Sequence, residues 1–476
     1  VRVVIGMLLW AGAAWALAPS ERLMLAGRPA EALEAALAEA TSSPDDVAAQ
    51  ERVVDILLTL KLYDRAVAVT TQQVEQRPMD PDVHYLFARA VPDVQRAQRG
   101  YERALKLDPL HARAHMGMGA IHTARQDLDA ALAAYGRAVR IDPSLSEAWL
   151  GLLRSQVGLE QIDAAIATAR KAIDACPESA EAYLALAVLA PDEAIAVLER
   201  AVVYAGEDAR VHAALAEERV KAGDGTGALA ATMASLAIDP TQPVALRLHL
   251  FAGAMAAGAL DVAGYDALTQ ARSKGDLAAA ERLVERYPAA VVAWLTRSQL
   301  RVQRGDVDGG IADLEQALRL APDEPEVLGQ LGILLADRKA HARAAPLLTR
   351  AFAQRPSDVG LGRAAGLEVA RAGDPARAIT MLRELHERTP YASEVAIALA
   401  DVLLLAGERE RAYQVVLAAS ERRMDEQLLV ALVATASQAG RYREAAAMLQ
   451  QIGTSTQNAR ALELAEKLRE KADQAP

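Results

Sequence analysis

The chain has 476 residues, of which 52% are apolar and only 4% aromatic, and it carries a formal charge of −11. An acidic chain with no long Lys/Arg run offers no basic stripe to a phosphate backbone, so a nucleic-acid partner is not expected. The single cysteine, Cys176, excludes an intrachain disulfide and any multi-cysteine zinc site.

In chain order, the first element is an apolar run from Val3 to Ala18. Arg2 precedes it, Ala16-Leu17-Ala18 closes it with small residues, and Pro19 breaks it. This is the layout of a secretory signal peptide. As a helix the run reaches about 24 Å, short of a hydrocarbon core of roughly 30 Å. The expectation is a cleaved signal over residues 1–18 and a periplasmic or secreted protein. The alternatives are an uncleaved inner-membrane anchor, with membrane association through residues 3–18, and a buried first helix.

Beyond it, prolines keep time. Pro109, Pro143 and Pro177 stand 34 residues apart, as do Pro288, Pro322, Pro356 and Pro390. Between them the pattern is helix, turn, helix. Over 146–157 a first helix places Trp149, Leu152 and Leu153 on one face, and Gly158 ends it. Over 161–175 a second helix places Ala165, Ala169 and Ala172 on one face, where small residues allow close approach. Pro177 stops it.

The marks recur in phase. Gly119, Ala131, Tyr135, Ala138 and Pro143 form one unit; Trp149, Leu152, Ala165, Ala172 and Pro177 form the next. Trp294, Gly305, Ala317 and Pro322, then Leu331, Gly332, Ala344, Ala351 and Pro356, form two later ones, and Gly366, Ala378 and Pro390 continue. On these residues the chain resembles the tetratricopeptide repeat family from Pro19 to about Gln457. The resemblance implies an all-α fold: an α-solenoid of about twelve stacked helix-turn-helix units, with a protein partner held on the concave face lined by first helices.

Three units depart from the rhythm. Val91-Pro92-Asp93 and Ala190-Pro191-Asp192 fall where the inter-helix turn should be, which predicts a shortened first helix in each. From Pro240 to Pro288 the interval is 48, which predicts three helices over about 243–258, 261–272 and 276–287. Arg297 and Arg301 then occupy phases that usually hold apolar residues, costly if buried unpaired, so the stack is expected to be perturbed there. The expected organisation is an N-terminal arm over 19–240, an irregular repeat and candidate hinge over 241–288, a C-terminal arm over 289–457, and a capping helix and tail over 458–476. In the cap, Leu462, Ala465 and Leu468 form the apolar side.

No constellation for chemistry is found, so an enzyme is not expected and no cofactor or metal is implied. His111, His115 and His122 lack a third ligand at helical spacing, and His84, His115 and His212 fall at the phase of Trp149 and Trp294, a packing slot. Gly360, Gly362 and Gly366 do not match a dinucleotide fingerprint and read as a helix start with a close-packing glycine. Asp306 and Asp308 sit in an inter-helix turn and lack the rest of a calcium loop.

The family's groove phases, projected onto this chain, give Met116, Leu150, Arg154, Leu184, Val188, Glu217, Arg247, Phe251, Met255, Gln299, Ile333, Arg363, Leu367, Ile397 and Asp401. The expected partner-binding set is Met116, Leu150, Arg154, Leu184, Arg247, Phe251, Met255, Gln299, Arg363 and Leu367. Phe251 and Met255 beside Arg247 are the interface type of anchor; the other reading is that both pack inward against the extra helix. No Lys–Asn set appears at these phases, so a clamp for a C-terminal carboxylate is not expected, and an apolar segment is the better fit. The functional expectation is a cell-envelope scaffold binding a protein segment in its groove. The alternatives are a cytoplasmic or membrane-tethered adaptor, and a non-catalytic subunit of a polysaccharide or secretion assembly complex.

Overall fold

The structure, a computed structural model, describes residues 18–25, 28–44, 46–422, 424–456 and 458–474. The expected signal or anchor segment therefore lies, Ala18 apart, outside the described residues. Those residues form twenty-eight α-helices and one short 3-10 turn, in consecutive antiparallel pairs. The fold is an all-α solenoid. None of the described helices is long and apolar enough to cross a membrane.

The pair Ser146–Gly158 and Ile162–Ala175 shows why the sequence folds this way. Small residues set the spacing: Ala104, Ala138 and Ala172, one in each of three successive second helices, are fully buried. Glycines make room for a ring. A Cβ on Gly119 would lie 2.8 Å from the Tyr135 ring, and one on Gly151 would lie 2.3 Å from it. Tyr135 thus fills the gap between the first helices of two neighbouring units. Aspartates cap helix starts; Asp127, for instance, accepts the backbone N–H of Ala130 at 3.2 Å.

One phase carries a ring N–H. Trp149 Nε1 donates to the Pro143 carbonyl at 2.8 Å, and Trp294 Nε1 to that of Pro288 at 2.9 Å. His115 Nε2 makes the same contact with Pro109 at 3.0 Å, His84 with Pro78 at 2.8 Å, and His212 with the Gly206 carbonyl at 2.9 Å. Tryptophan and histidine exchange here because each brings a flat ring and a donor to the carbonyl six residues back.

The two units with early prolines have first helices of ten residues, Pro81–Ala90 and Ala180–Leu189, against thirteen in the regular pair at Ser146–Gly158. The long interval holds three helices: Pro243–Ala256, Val262–Lys274 and Leu277–Arg286. By their contacts the residues sort into two units, one containing residues up to 222 with 227–248, the other containing 223–226 with 249–476. The division at Leu248 and His249 falls inside the helix Pro243–Ala256.

In the second unit Arg297 and Arg301 do not perturb the stack as expected. Arg297 lies 2.6 Å and Arg301 3.0 Å from Asp313, a buried carboxylate on the paired helix Val307–Leu320. The charge at an apolar phase is balanced locally, so the pair stays regular. The last helix, Ala459–Gln474, is capped by Asn458, whose Oδ1 accepts the N–H groups of Arg460 and Ala461 at 3.1 Å each. It buries Ala461, Ala465 and Leu468.

Candidate functional site: the first-helix face

In the first unit the groove phases run further back than the sequence projection carried them. Glu51 and Tyr85 precede Met116, Leu150 and Leu184 in one row. Asp55 and Arg89 precede Ala120, Arg154 and Val188 in the next. The step from Tyr85 to Met116, and from Arg89 to Ala120, is 31 residues instead of 34, because the helix Pro81–Ala90 is short. Counting back through that short unit is the signal that would have found these four residues.

These earlier positions are charged and mutually satisfied. Arg89 Nε lies 2.8 Å from Asp55, and its Nη1 lies 3.6 Å from Glu147, two first helices further on. Arg113 Nε lies 3.3 Å from Glu51, again two first helices away, and the Tyr85 hydroxyl donates to the other oxygen of Glu51. Burial works against the Arg89 charge, but Tyr85, Asp55 and Glu147 together hold its pKa above the ordinary value. Burial, with the Glu51 charge, pushes the Tyr85 hydroxyl well up. The longer pairs tie alternate first helices together, and the charges of this part of the face are engaged with one another.

The next stretch differs. Leu150 and Leu184 are half-buried, Arg154 is exposed, and Val188 is 80% exposed. Arg154 has no ion-pair partner among the described residues. The helix bearing Val188 is one of the two short ones, so its last turn opens directly to solvent. Beyond it, Arg247 is exposed and lies 3.6 Å from Glu217.

Two expected anchors are corrected. Phe251 is 2% exposed and meets the Tyr265 ring edge-on at 5.0 Å, with the Arg272 guanidinium 5.7 Å from its centroid. It packs inward against the helix Val262–Lys274, as the other reading had it, and offers a partner nothing. Met116 is buried in the core beside Ala131, Tyr135 and Ala138. Met255 is half-buried, its Cβ where Gly225 leaves room. The physical reason is apolar burial: Phe251 packs on Tyr265 and Met116 on Tyr135 in the helix interface, which removes more apolar surface from water than an outward position would.

In the second unit Gln299, Ile333, Leu367 and Asp401 stand at 34-residue intervals. Ile333 and Asp401 are exposed, Gln299 is half-buried, and Leu367 is half-buried against the core with Ile397. Arg363 is exposed. Partial desolvation pushes the Asp401 carboxyl up, offset in part by Arg371.

His111 and His122 have separate partners. His111 Nε2 lies 3.0 Å from Asp82, while its Nδ1 accepts the Ala114 N–H at 3.0 Å as a helix cap. His122 lies 3.8 Å from Asp127. Among the described residues no group of three or more His, Cys, Asp or Glu is placed to hold a metal ion. Gly362 and Gly366 serve close packing against Leu385 and Leu382, and Asp306 caps its helix through the Gly309 N–H at 2.9 Å. Cys176 is buried, with Sγ 3.4 Å from the Pro143 carbonyl.

A tetratricopeptide repeat model matches residues 254–423, and a second model of the same description matches 22–81 and 88–146. No curated protein matches the chain. Among solved structures the chain is similar to TTC0263, a thermophilic TPR protein of Thermus thermophilus, at 19% identity over 36% of this chain and 94% of that one, with a TM-score of 0.31. It is also similar to YrrB, a TPR protein with an unusual peptide-binding site, at 21% identity over 38% and 97%, with a TM-score of 0.29. A third similarity is to a chain of the APC/C hetero-tetramer Cut9-Hcn1, at 13% identity over 94% and 95%, with a TM-score of 0.32.

Proposed function

The chain belongs to the tetratricopeptide repeat family, whose repeats are protein–protein interaction scaffolds, and we propose that this one holds an apolar segment of a protein partner along Leu150, Arg154, Leu184 and Val188. One observation carries the reading. This stretch of the first-helix face is apolar and open, and it holds a cation without a counter-charge, whereas the charges of the stretch before it are engaged with one another. An apolar segment with a nearby carboxylate suits it: the side chains cover Leu184 and Val188, and the acid meets Arg154.

We place the protein in the cell envelope, on the signal-peptide layout of residues 1–18. Residues 241–288 are our candidate hinge between the two arms. Gln299, Ile333, Arg363 and Leu367 would form a second contact surface on the other arm.

The test is site-specific photo-crosslinking from the envelope fraction of the native host. A crosslinker at Val188 should trap one defined partner, and Leu184→Asp should abolish the adduct while helicity by circular dichroism is unchanged. The same crosslinker at Val203, exposed on a second helix, should not trap it. Equal recovery from both positions would refute the groove assignment. Fractionation with the cytosol, without N-terminal processing, would refute the location.

A further inference from the structure

The segment that breaks the repeat also builds a cleft. The helix Val262–Lys274 and the short helix Leu277–Arg286 form a hairpin, open to solvent over about 370 Å³. Ala271 and Ala279 line it with small side chains; Lys274, Arg282 and Arg286 line it with charge. All three cations are exposed, and neither Lys274 nor Arg282 has an ion-pair partner among the described residues. The carboxylate lining the cleft, Asp276, is engaged as a helix cap, accepting the Ala279 N–H at 3.0 Å.

The hairpin is held from its far end. The Tyr287 hydroxyl donates to Asp261 at 2.7 Å, joining the last turn of one helix to the first turn of the other. The Arg286 guanidinium lies 5.1 Å from the Tyr287 ring centroid and 3.9 Å from Asp261. The cleft lining sets three cations against one carboxylate, so it is net positive in a chain that is otherwise strongly acidic.

We propose that this cleft binds an acidic segment of a protein partner, one with carboxylates a helical turn apart. Arg282 and Arg286 stand four residues apart on one face, about 6 Å along the helix. That matches glutamates at every fourth residue of a partner helix, each meeting one guanidinium. It does not match a single phosphate group, whose oxygens all sit on one atom. The small floor lets the partner backbone approach closely enough for its side chains to reach the rim.

The probe is a fluorescein-labelled, alanine-based helical peptide with glutamate at every fourth residue, titrated against the full chain by anisotropy. Matched peptides carry glutamine or lysine at those positions. The glutamate probe should bind, weakening as salt rises, and the glutamine probe should bind at least about tenfold more weakly. Lys274→Glu with Arg282→Glu should lose the glutamate probe and gain the lysine probe. That gain of binding shows the double variant is folded. Arg154→Glu in the groove should leave the glutamate probe unaffected, so the two proposals fail separately. Equal binding of the glutamate and glutamine probes would overturn this one. So would retention of the glutamate probe by the double variant. Displacement by inorganic pyrophosphate at concentrations where free glutamate has no effect would also overturn it, in favour of a phosphoryl site.

Discussion

Arg297 and Asp313 meet across a helix pair, Nη2 to Oδ1 at 2.6 Å, with the carboxylate only 2% exposed. Arg301 reaches the same oxygen at 3.0 Å, and the Arg297 guanidinium lies 4.8 Å from the Trp294 ring centroid. A buried carboxylate persists only when its charge and lone pairs are met, and here two guanidinium groups meet them. Asp313→Ala would strand Arg297 and leave Arg301 only its longer contacts to Glu281 and Asp306, and should cost about 3–5 kcal/mol. Replacing all three residues with apolar ones of similar volume should cost less, because no charge is left behind. Urea denaturation followed by circular dichroism measures both; an Asp313→Ala midpoint equal to that of the parent would sink the argument.

Tyr135 occupies space that two glycines vacate. A methyl group on Gly151 would lie 2.3 Å from the ring, and one on Gly119 would lie 2.8 Å from it, against side-chain atoms that are themselves packed. Gly151→Ala should therefore destabilise by about 1–3 kcal/mol, as overpacking does. The pair Gly151→Ala with Tyr135→Leu should recover part of the loss, since the smaller side chain vacates the clash. Thermal melts of the single and double variants show whether the two changes couple.

The turn after the first helix needs a left-handed residue. Gly305, Gly373 and Gly407 supply it at φ of 86°, 105° and 81°, and Lys339, at the same phase, adopts φ 58° with a side chain in place. A Cβ in that region costs about 1–2 kcal/mol, offset in part by the greater freedom glycine loses on folding. Lys339→Gly should stabilise by about 0.5–1 kcal/mol, whereas Gly373→Lys should destabilise. Matching losses from both substitutions in chemical denaturation would show that backbone strain does not govern this turn.

His386 gives acid sensitivity a location. Burial is the main cause that lowers its pKa below 6.5, and the Arg422 charge adds to it while Glu387 opposes. Its Nδ1 is buried without a hydrogen-bond partner. A base whose folded pKa is depressed contributes stability that is complete above its unfolded value. That contribution is lost as pH falls through the folded one. The parent should lose stability as pH falls below about 6.5, and His386→Gln should lose less over the same fall. Parallel pH profiles for the two proteins would remove His386 from the account.

Much of this molecule is legible as sequence because its repeat is local. Proline spacing, the alanine phases and the capping aspartates fix where helices start, stop and pair, and the two short first helices follow from Pro92 and Pro191. The groove was only partly legible. Projected phases located Leu184 and Val188, but the drift through the 31-residue unit hid Glu51, Asp55, Tyr85 and Arg89. Phase also says nothing about which side of a neighbour a ring will take, so Phe251 could be placed at the right position and still be misread as an anchor.

The amino-acid order by itself therefore determined the class of fold, the register of its units and the places where that register breaks. Each of these depends on steric and hydrogen-bonding preferences within a few residues of chain. Only the tertiary structure decided that Arg297 and Arg301 share Asp313, that Arg89 spans to Glu147, and that Lys274, Arg282 and Arg286 line one cleft. Those pairings join side chains from different helices. Their energies depend on distances and burial that arise only when the helices stack.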